Sequence, residues 1–152
     1  MLFITFRLGG QRYALGADRI VEVLPLVDLQ TVLRPPPGIA GTLNYHGEFV
    51  PVVDLSQMIL GRPAPPRLST RLLVARVKGD QGSRLLGIIA ENVTETMQFD
   101  PGDFVSPGIV SGDAPFLGSV HIGENGPVQR IDVDHLLAGQ QREFVFEPPA
   151  AA

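Results

Sequence analysis

The sequence predicts a mainly β fold built as two small barrels, and three observations carry that prediction. Seventeen glycines and 14 prolines stand against a charged fraction of 18%, a balance that favours many turns and disfavours long helices. The apolar runs are short, and they either alternate with polar residues or stay continuous for a few positions, as half-covered and fully covered strands do. Two stretches, Val52 to Gly61 and Ile131 to Gly139, end alike, with an apolar strand, an aspartate, a helix of one or two turns and a glycine. A chain of 152 residues, 44% of them apolar, is long enough to bury its own core without staples.

The elements follow in order. Leu2, Ile4, Phe6 and Leu8 alternate with Phe3, Thr5 and Arg7, the period of a strand, and Gly9-Gly10 reverses the chain into Gln11 to Leu15 as a hairpin. Asp18 starts a single helical turn, and Ile20 to Pro25 is an apolar strand with one carboxylate, Glu22, in its middle. Leu29 to Leu33 reads as a further short strand, ended by Pro35-Pro36-Pro37. The densest stretch runs from Thr42 to Leu55: a strand, a reversal at His46-Gly47, and a second strand in which Phe49, Val50, Val52 and Val53 are covered on both faces. Pro51 lacks a ladder donor and places that strand at an edge or a bend. Asp54 or Ser56 caps a helix over Leu55 to Leu60, with Gly61 as its stop and Pro63 beyond.

Arg62 to Pro66 is proline-rich and marks an internal boundary near 62–68. Beyond it, Leu72 to Val77 and Leu85 to Ala90 are apolar strands joined by a turn at Lys78 to Gly82, and Val93 to Phe99 continues the sheet. Asp100 to Gly118 is a long connection of the kind that is often functional. Gly118 to Ile122 and Val128 to Val133 form a last hairpin around Gly123 to Gly126, and Asp134 to Gly139 is a short capped helix. The chain is expected to be one domain over 1–142, with intertwined subdomains and a flexible tail over 143–152.

Composition removes several functions. With no cysteine there is no disulfide, thiolate zinc site or cysteine nucleophile. The net charge is −4 and the arginines are scattered singly, which argues against nucleic acid. No apolar run approaches the roughly 20 residues of a membrane span, so no direct membrane insertion is expected. The first residues carry no export signal, and a cytoplasmic protein is expected.

No catalytic constellation emerges. The three histidines, His46, His121 and His135, lie in different settings. His135 with Asp132 and Asp134 has metal-ligand residue types, but Asp134 and His135 fall at a helix start, where a cap explains them. His121 reads as a sheet histidine. No G-x-S-x-G elbow and no glycine-rich phosphate loop is present, and no cofactor is expected. Glu22 is more informative, because a carboxylate inside an apolar strand needs water or a partner. Either it faces solvent from the outer side of a half-exposed strand, with His46 as a possible partner, or it joins Ile20 in a docking surface.

At this point the residues resemble a known family. Phe6 to Gly9 with Tyr13, Ile20 to Val23, and the run Pro37 to Leu55 are similar to the CheW-like domain of bacterial chemosensory coupling proteins. Gly87 to Thr96 and Ile131 to Leu137 agree with the family's later strands and closing helix, so the resemblance spans residues 2 to about 139. It implies two five-stranded SH3-like β-barrels sharing an apolar core, and a stand-alone scaffold with no active site. It implies that the protein couples the cytoplasmic tip of a methyl-accepting chemoreceptor to a CheA-type histidine kinase, at membrane-bound receptor arrays. The positions that match the family's binding residues are Ile20, Glu22, Asn44 and His46. One departure stands out: the family reads N-x-R-G where this chain has Asn44-Tyr45-His46-Gly47. Histidine is shorter than arginine and is not held charged at neutral pH, which points to a specialised partner set such as a surface-sensing array. The rival reading is a β-barrel enzyme or small-ligand binder with a pocket under the 100–118 connection.

Overall fold

Gly9 and Gly10 both have positive φ, 57° and 82°, and this left-handed pair reverses β1 (Leu2–Leu8) into β2 (Gln11–Gly16). A single 3-10 turn over Ala17–Arg19, with Asp18 inside it, carries the chain into β3 (Ile20–Pro25). β4 (Ile39–Tyr45), β5 (Glu48–Asp54), α1 (Leu55–Leu60), β6 (Arg71–Gly79) and β7 (Gly82–Ala90) follow, then β8 (Glu95–Gln98), β9 (Phe104–Val105), β10 (Leu117–Gly123) and β11 (Gly126–Ile131). The computed structural model describes residues 1–79, 82–109, 112, 114–123 and 125–137. Parts of the expected turns at 78–82 and 123–126, of the 100–118 connection and of the last helix lie outside them, as does the expected tail over 143–152.

Among the described residues the strands form two sheets, one in the order β8-β1-β2-β11-β10-β9 and the other β3-β6-β7-β5-β4. The sheets interleave along the chain. The first and last hairpins share the six-stranded sheet through the parallel pairing of β2 with β11, and β3 to β7 make the five-stranded sheet, in which β5 runs parallel to β7. The proline-rich segment at 62–68 therefore lies within one sheet, because β3 pairs with β6 across it. The six-stranded sheet has one strand more than expected, since Phe104 and Val105 add a short edge strand beside His121 and Val120.

Strand alternation sorts the apolar side chains into three layers. Phe6, Leu8 and Leu15 from one sheet meet Leu73, Leu86 and Ile88 from the other in a shared core. Leu43, Val50, Val52, Leu72, Val74 and Ile89 fill the inner side of the five-stranded sheet. Phe3, Ala14 and Val128, with Phe99 and Phe104 packed on them, fill the inner side of the six-stranded one. Each fully buried leucine or phenylalanine contributes about 1.5–3 kcal/mol, so the three layers together hold the chain in one piece.

Several local expectations hold and several are corrected. Asp54 caps α1, accepting from the backbone N–H of Ser56 at 2.9 Å and of Gln57 at 3.3 Å, and Gly61 ends the helix at φ 76°. Ser56 is no cap; it is buried and donates its hydroxyl to Glu91, which also pairs with Arg62. Leu29 to Leu33 is not a strand. It makes one bridge, Gln30 to Thr42, and the left-handed Arg34 (φ 50°) then turns the chain away. That bridge needs Gly41, whose Cβ would lie 2.6 Å from the Gln30 carbonyl oxygen. β5 is not an edge strand, yet its partners on β7 begin only at Val52, so Pro51 sits where a missing N–H leaves no gap on that side. For the same reason Phe49 is not covered on both faces but 63% exposed.

Candidate functional site

In the five-stranded sheet β3 and β4 are opposite edges, separated by three strands. The sheet nevertheless curls until they meet: the Tyr45 hydroxyl at the end of β4 donates to Glu22 Oε1 on β3 at 2.6 Å. That contact shows the sheet closing into a barrel with a polar link at its seam.

The turn beside it is built for the purpose. His46 (φ 52°) and Gly47 (φ 84°) are both left-handed, the combination that suits a two-residue hairpin loop, and glycine takes it at little cost. Histidine is among the non-glycine residues that enter this region more readily. Asn44 Oδ1 accepts from the Gly47 N–H at 3.1 Å and braces the turn. His46 packs edge-on against the Tyr45 ring, with centroids 4.4 Å apart, and its Nε2 stands 4.0 Å from Glu22 Oε1. The His46 side chain is 78% exposed and that of Glu22 43%. Donation to the carboxylate raises the Tyr45 phenol above its ordinary range, with desolvation and the charge of Glu22 adding to the effect.

Three of the four positions named from the sequence, Glu22, Asn44 and His46, thus come together at one end of the five-stranded barrel. Ile20 does not join them. It sits at the start of β3 and packs against the shared core, at the seam between the two barrels. Tyr45 was missed, although a strand carboxylate in need of a partner was a signal to look for one. Val21 and Val23 are exposed on β3, on the face opposite to Glu22, and Phe49 is exposed opposite Asn44 in the β4–β5 register.

The other candidates have structural work. Asp132, not Asp134, caps the 3-10 turn Val133–His135 and accepts from the Asp134 N–H at 3.0 Å; its second oxygen lies 2.7 Å from His135 Nδ1. Asp134 instead forms a bidentate pair with Arg19 and accepts from the Lys78 N–H at 2.8 Å. Arg19 above all, and Lys78 with it, hold the Asp134 carboxyl below the ordinary aspartate range. Arg19, Asp132 and Asp134 line a polar cleft of about 360 Å³, and neither His121 nor His135 is among its lining residues. Over its described residues the 100–118 connection forms a turn capped by Asp100 and the edge strand β9, packed on β10. His121 is wedged between Phe99 and Phe104, with ring centroids 4.5 and 5.5 Å away. No described helix is long and apolar enough to cross a membrane.

Comparison with known proteins agrees with this architecture. The family model for the CheW-like domain matches residues 2–141. Protein FrzA of Myxococcus xanthus is 31% identical over 126 residues, covering 81% of this chain and 76% of its own length. The chemotaxis protein CheW of Rhizobium meliloti is 24% identical over 142 residues, covering 92% and 89%. The crystal structure of the scaffolding protein TtCheW from Thermoanaerobacter tengcongensis superposes with a TM-score of 0.79 over 92% of this chain and 89% of that one, at 20% identity. That likeness establishes the mainly β, two-barrel fold. With its matched span, its two interleaved sheets and its closing strand edges, this chain belongs to the CheW-like domain family.

Proposed function

We propose that this protein is a chemosensory adaptor that ties the cytoplasmic tip of a methyl-accepting chemoreceptor to a CheA-type histidine kinase and catalyses no reaction itself. The observation that carries the reading is the cluster of exposed Glu22 and His46 with half-buried Tyr45 across the closing edges of the five-stranded barrel, in a chain of this family. The receptor surface runs from Ile20 at the barrel seam over Glu22 to Asn44 and His46, with Phe49 as its apolar part. The kinase binds elsewhere on the barrels, so that one scaffold holds both partners and raises the local concentration of each for the other. Signal passes because the receptor's states differ in their grip on the scaffold. The protein works in the cytoplasm, at receptor arrays. His46, in the place of the family's arginine, fits a dedicated array such as a surface-sensing one.

The test is co-sedimentation of the purified chain with a CheA-type kinase and with a receptor-tip fragment, with no small molecule added. Binding to both, and receptor control of the kinase only when the chain is present, is expected. A chain that binds neither overturns the reading. Tighter binding of His46→Arg to a flagellar receptor, with binding to its own receptor unchanged, overturns the specialised partner set alone.

A further inference from the structure

Two described polar approaches join the facing edges of the five-stranded barrel, and they are unequal. Tyr45 donates to Glu22 Oε1 at 2.6 Å, a short bond of the kind made to charged acceptors. His46 Nε2 stands at 4.0 Å, beyond hydrogen-bond reach, on a side chain that is mostly in solvent. Tyr45 therefore decides where Glu22 points. A phenol fixes a carboxylate without neutralising it, which a guanidinium or an imidazolium does not. Glu22 Oε2 keeps no partner among the described residues. The cross-strand neighbour of Tyr45 is Glu48, also exposed. The titratable groups at this end of β3, β4 and β5 and in the turn are then Glu22, Glu48, His46 and Tyr45. On β6, which pairs with β3, the exposed Arg76 follows Val74, the register partner of Glu22, by two residues without forming an ion pair with Glu22 among the described residues.

We propose that Tyr45 is the positioning residue of this surface, holding Glu22 as an un-neutralised carboxylate for a basic side chain of the docked segment. The identity of that segment, the receptor tip, rests on the adaptor reading above; the positioning role does not. It follows that the docked segment presents an arginine or a lysine to Glu22, and that the contact weakens with salt as an exposed charge pair does.

The first experiment needs no partner. The chain has two tyrosines and no tryptophan, so phenolate absorbance reports Tyr13 and Tyr45 alone. Tyr13 titrates high because it is buried, and Tyr45 because it donates to Glu22. Glu22→Gln is expected to bring one tyrosine down toward the ordinary range and leave the other in place, and His46→Gln to move neither. Unchanged titration in Glu22→Gln overturns the positioning role whatever the partner is. The second uses a receptor-tip fragment. Tyr45→Phe is expected to weaken binding about fivefold, the size of one lost hydrogen bond, and to cost nothing further in a Glu22→Gln background. Charge-removing substitutions in the fragment should single out one basic residue whose effect disappears in Glu22→Gln. Additive losses in the double variant, or no basic residue coupled to Glu22, overturn the proposal. A wild-type chain that binds no receptor tip sinks the adaptor reading and leaves the absorbance result standing.

Discussion

The two barrels share a core yet are filled by different chemistry. The five-stranded one is lined inside by aliphatic side chains, Leu43, Val50, Val52, Leu72, Val74 and Ile89. The six-stranded one holds Phe3, Phe99 and Phe104, with the Arg130 guanidinium 5.2 Å from the centroid of Phe3 and 6.0 Å from that of Phe104, and His121 among the rings. His121 Nδ1 is buried and finds no hydrogen-bond partner among the described residues, a debt of about 1–3 kcal/mol. Branched aliphatic groups interdigitate and fix strand positions; an aromatic interior with a guanidinium and an orphaned nitrogen trades some of that fit for polar contacts. The Glu22–Tyr45 link stands on the aliphatic barrel. A contact that spans two strand edges works only if both edges are held in place, and here the aliphatic layer packs under both of them.

The largest effect tests whether the two interiors are one folding unit. Leu73 is fully buried in the shared layer, so Leu73→Ala is expected to cost about 2–5 kcal/mol and to move a single unfolding transition seen identically by far-UV circular dichroism and by tyrosine absorbance. Two separated transitions would mean that the barrels fold independently. Next, Arg130→Met removes the cation from the aromatic interior and keeps most of its bulk. A loss of about 0.5–1 kcal/mol in chemical denaturation is expected, with the Tyr45 titration unmoved because it belongs to the other barrel. If Arg130→Met shifts that titration, the two interiors are coupled more tightly than their packing indicates.

What could be read from the sequence was what is local. The Gly9-Gly10 reversal, the Asp54 cap with its Gly61 stop, and the His46-Gly47 turn each depend on a few adjacent residues, and each is found where expected. The sheet order was out of reach, because the β2–β11 and β5–β7 pairings join strands whose partnership no short window encodes. Leu29 to Leu33 has the composition of a strand but meets only Thr42 before Arg34 diverts it. At the C-terminal turn the sequence pointed to Asp134 and His135 for the cap, but Asp132 takes it, while Asp134 pairs with Arg19, 115 residues away in sequence. At the site, Glu22 stood out as a carboxylate inside an apolar strand, with His46 as a possible partner, and Asn44 came from resemblance to a family. Tyr45 went unread because it looks like one more aromatic in an alternating strand; Glu22's need of a partner was the signal, and the partner is fixed only when the barrel closes.

The smallest effect concerns the joint between the barrels. Arg19 lies in the crossover from β2 to β3, and Asp134 follows β11; the guanidinium grips Asp134 through both Nη atoms and donates from Nε to the Arg76 carbonyl on β6 at 3.0 Å. Both side chains remain 24% exposed, so solvent screens the pair and its worth is about 0.2–0.5 kcal/mol. Asp134→Asn keeps an acceptor for the Lys78 N–H and removes only the charge. Because the folded carboxyl is held below its ordinary value of 3.8, its contribution is complete above that value and is lost as the pH falls through the depressed folded one. Denaturant titrations should therefore show wild type ahead of Asp134→Asn by a constant margin from neutral pH down to about 5, a margin that closes below about pH 4 as the wild-type carboxylate takes up its proton. Parallel curves down to pH 3 would assign the joint to the shared apolar layer alone, and the difference between the two barrels would then lie wholly in how each is filled.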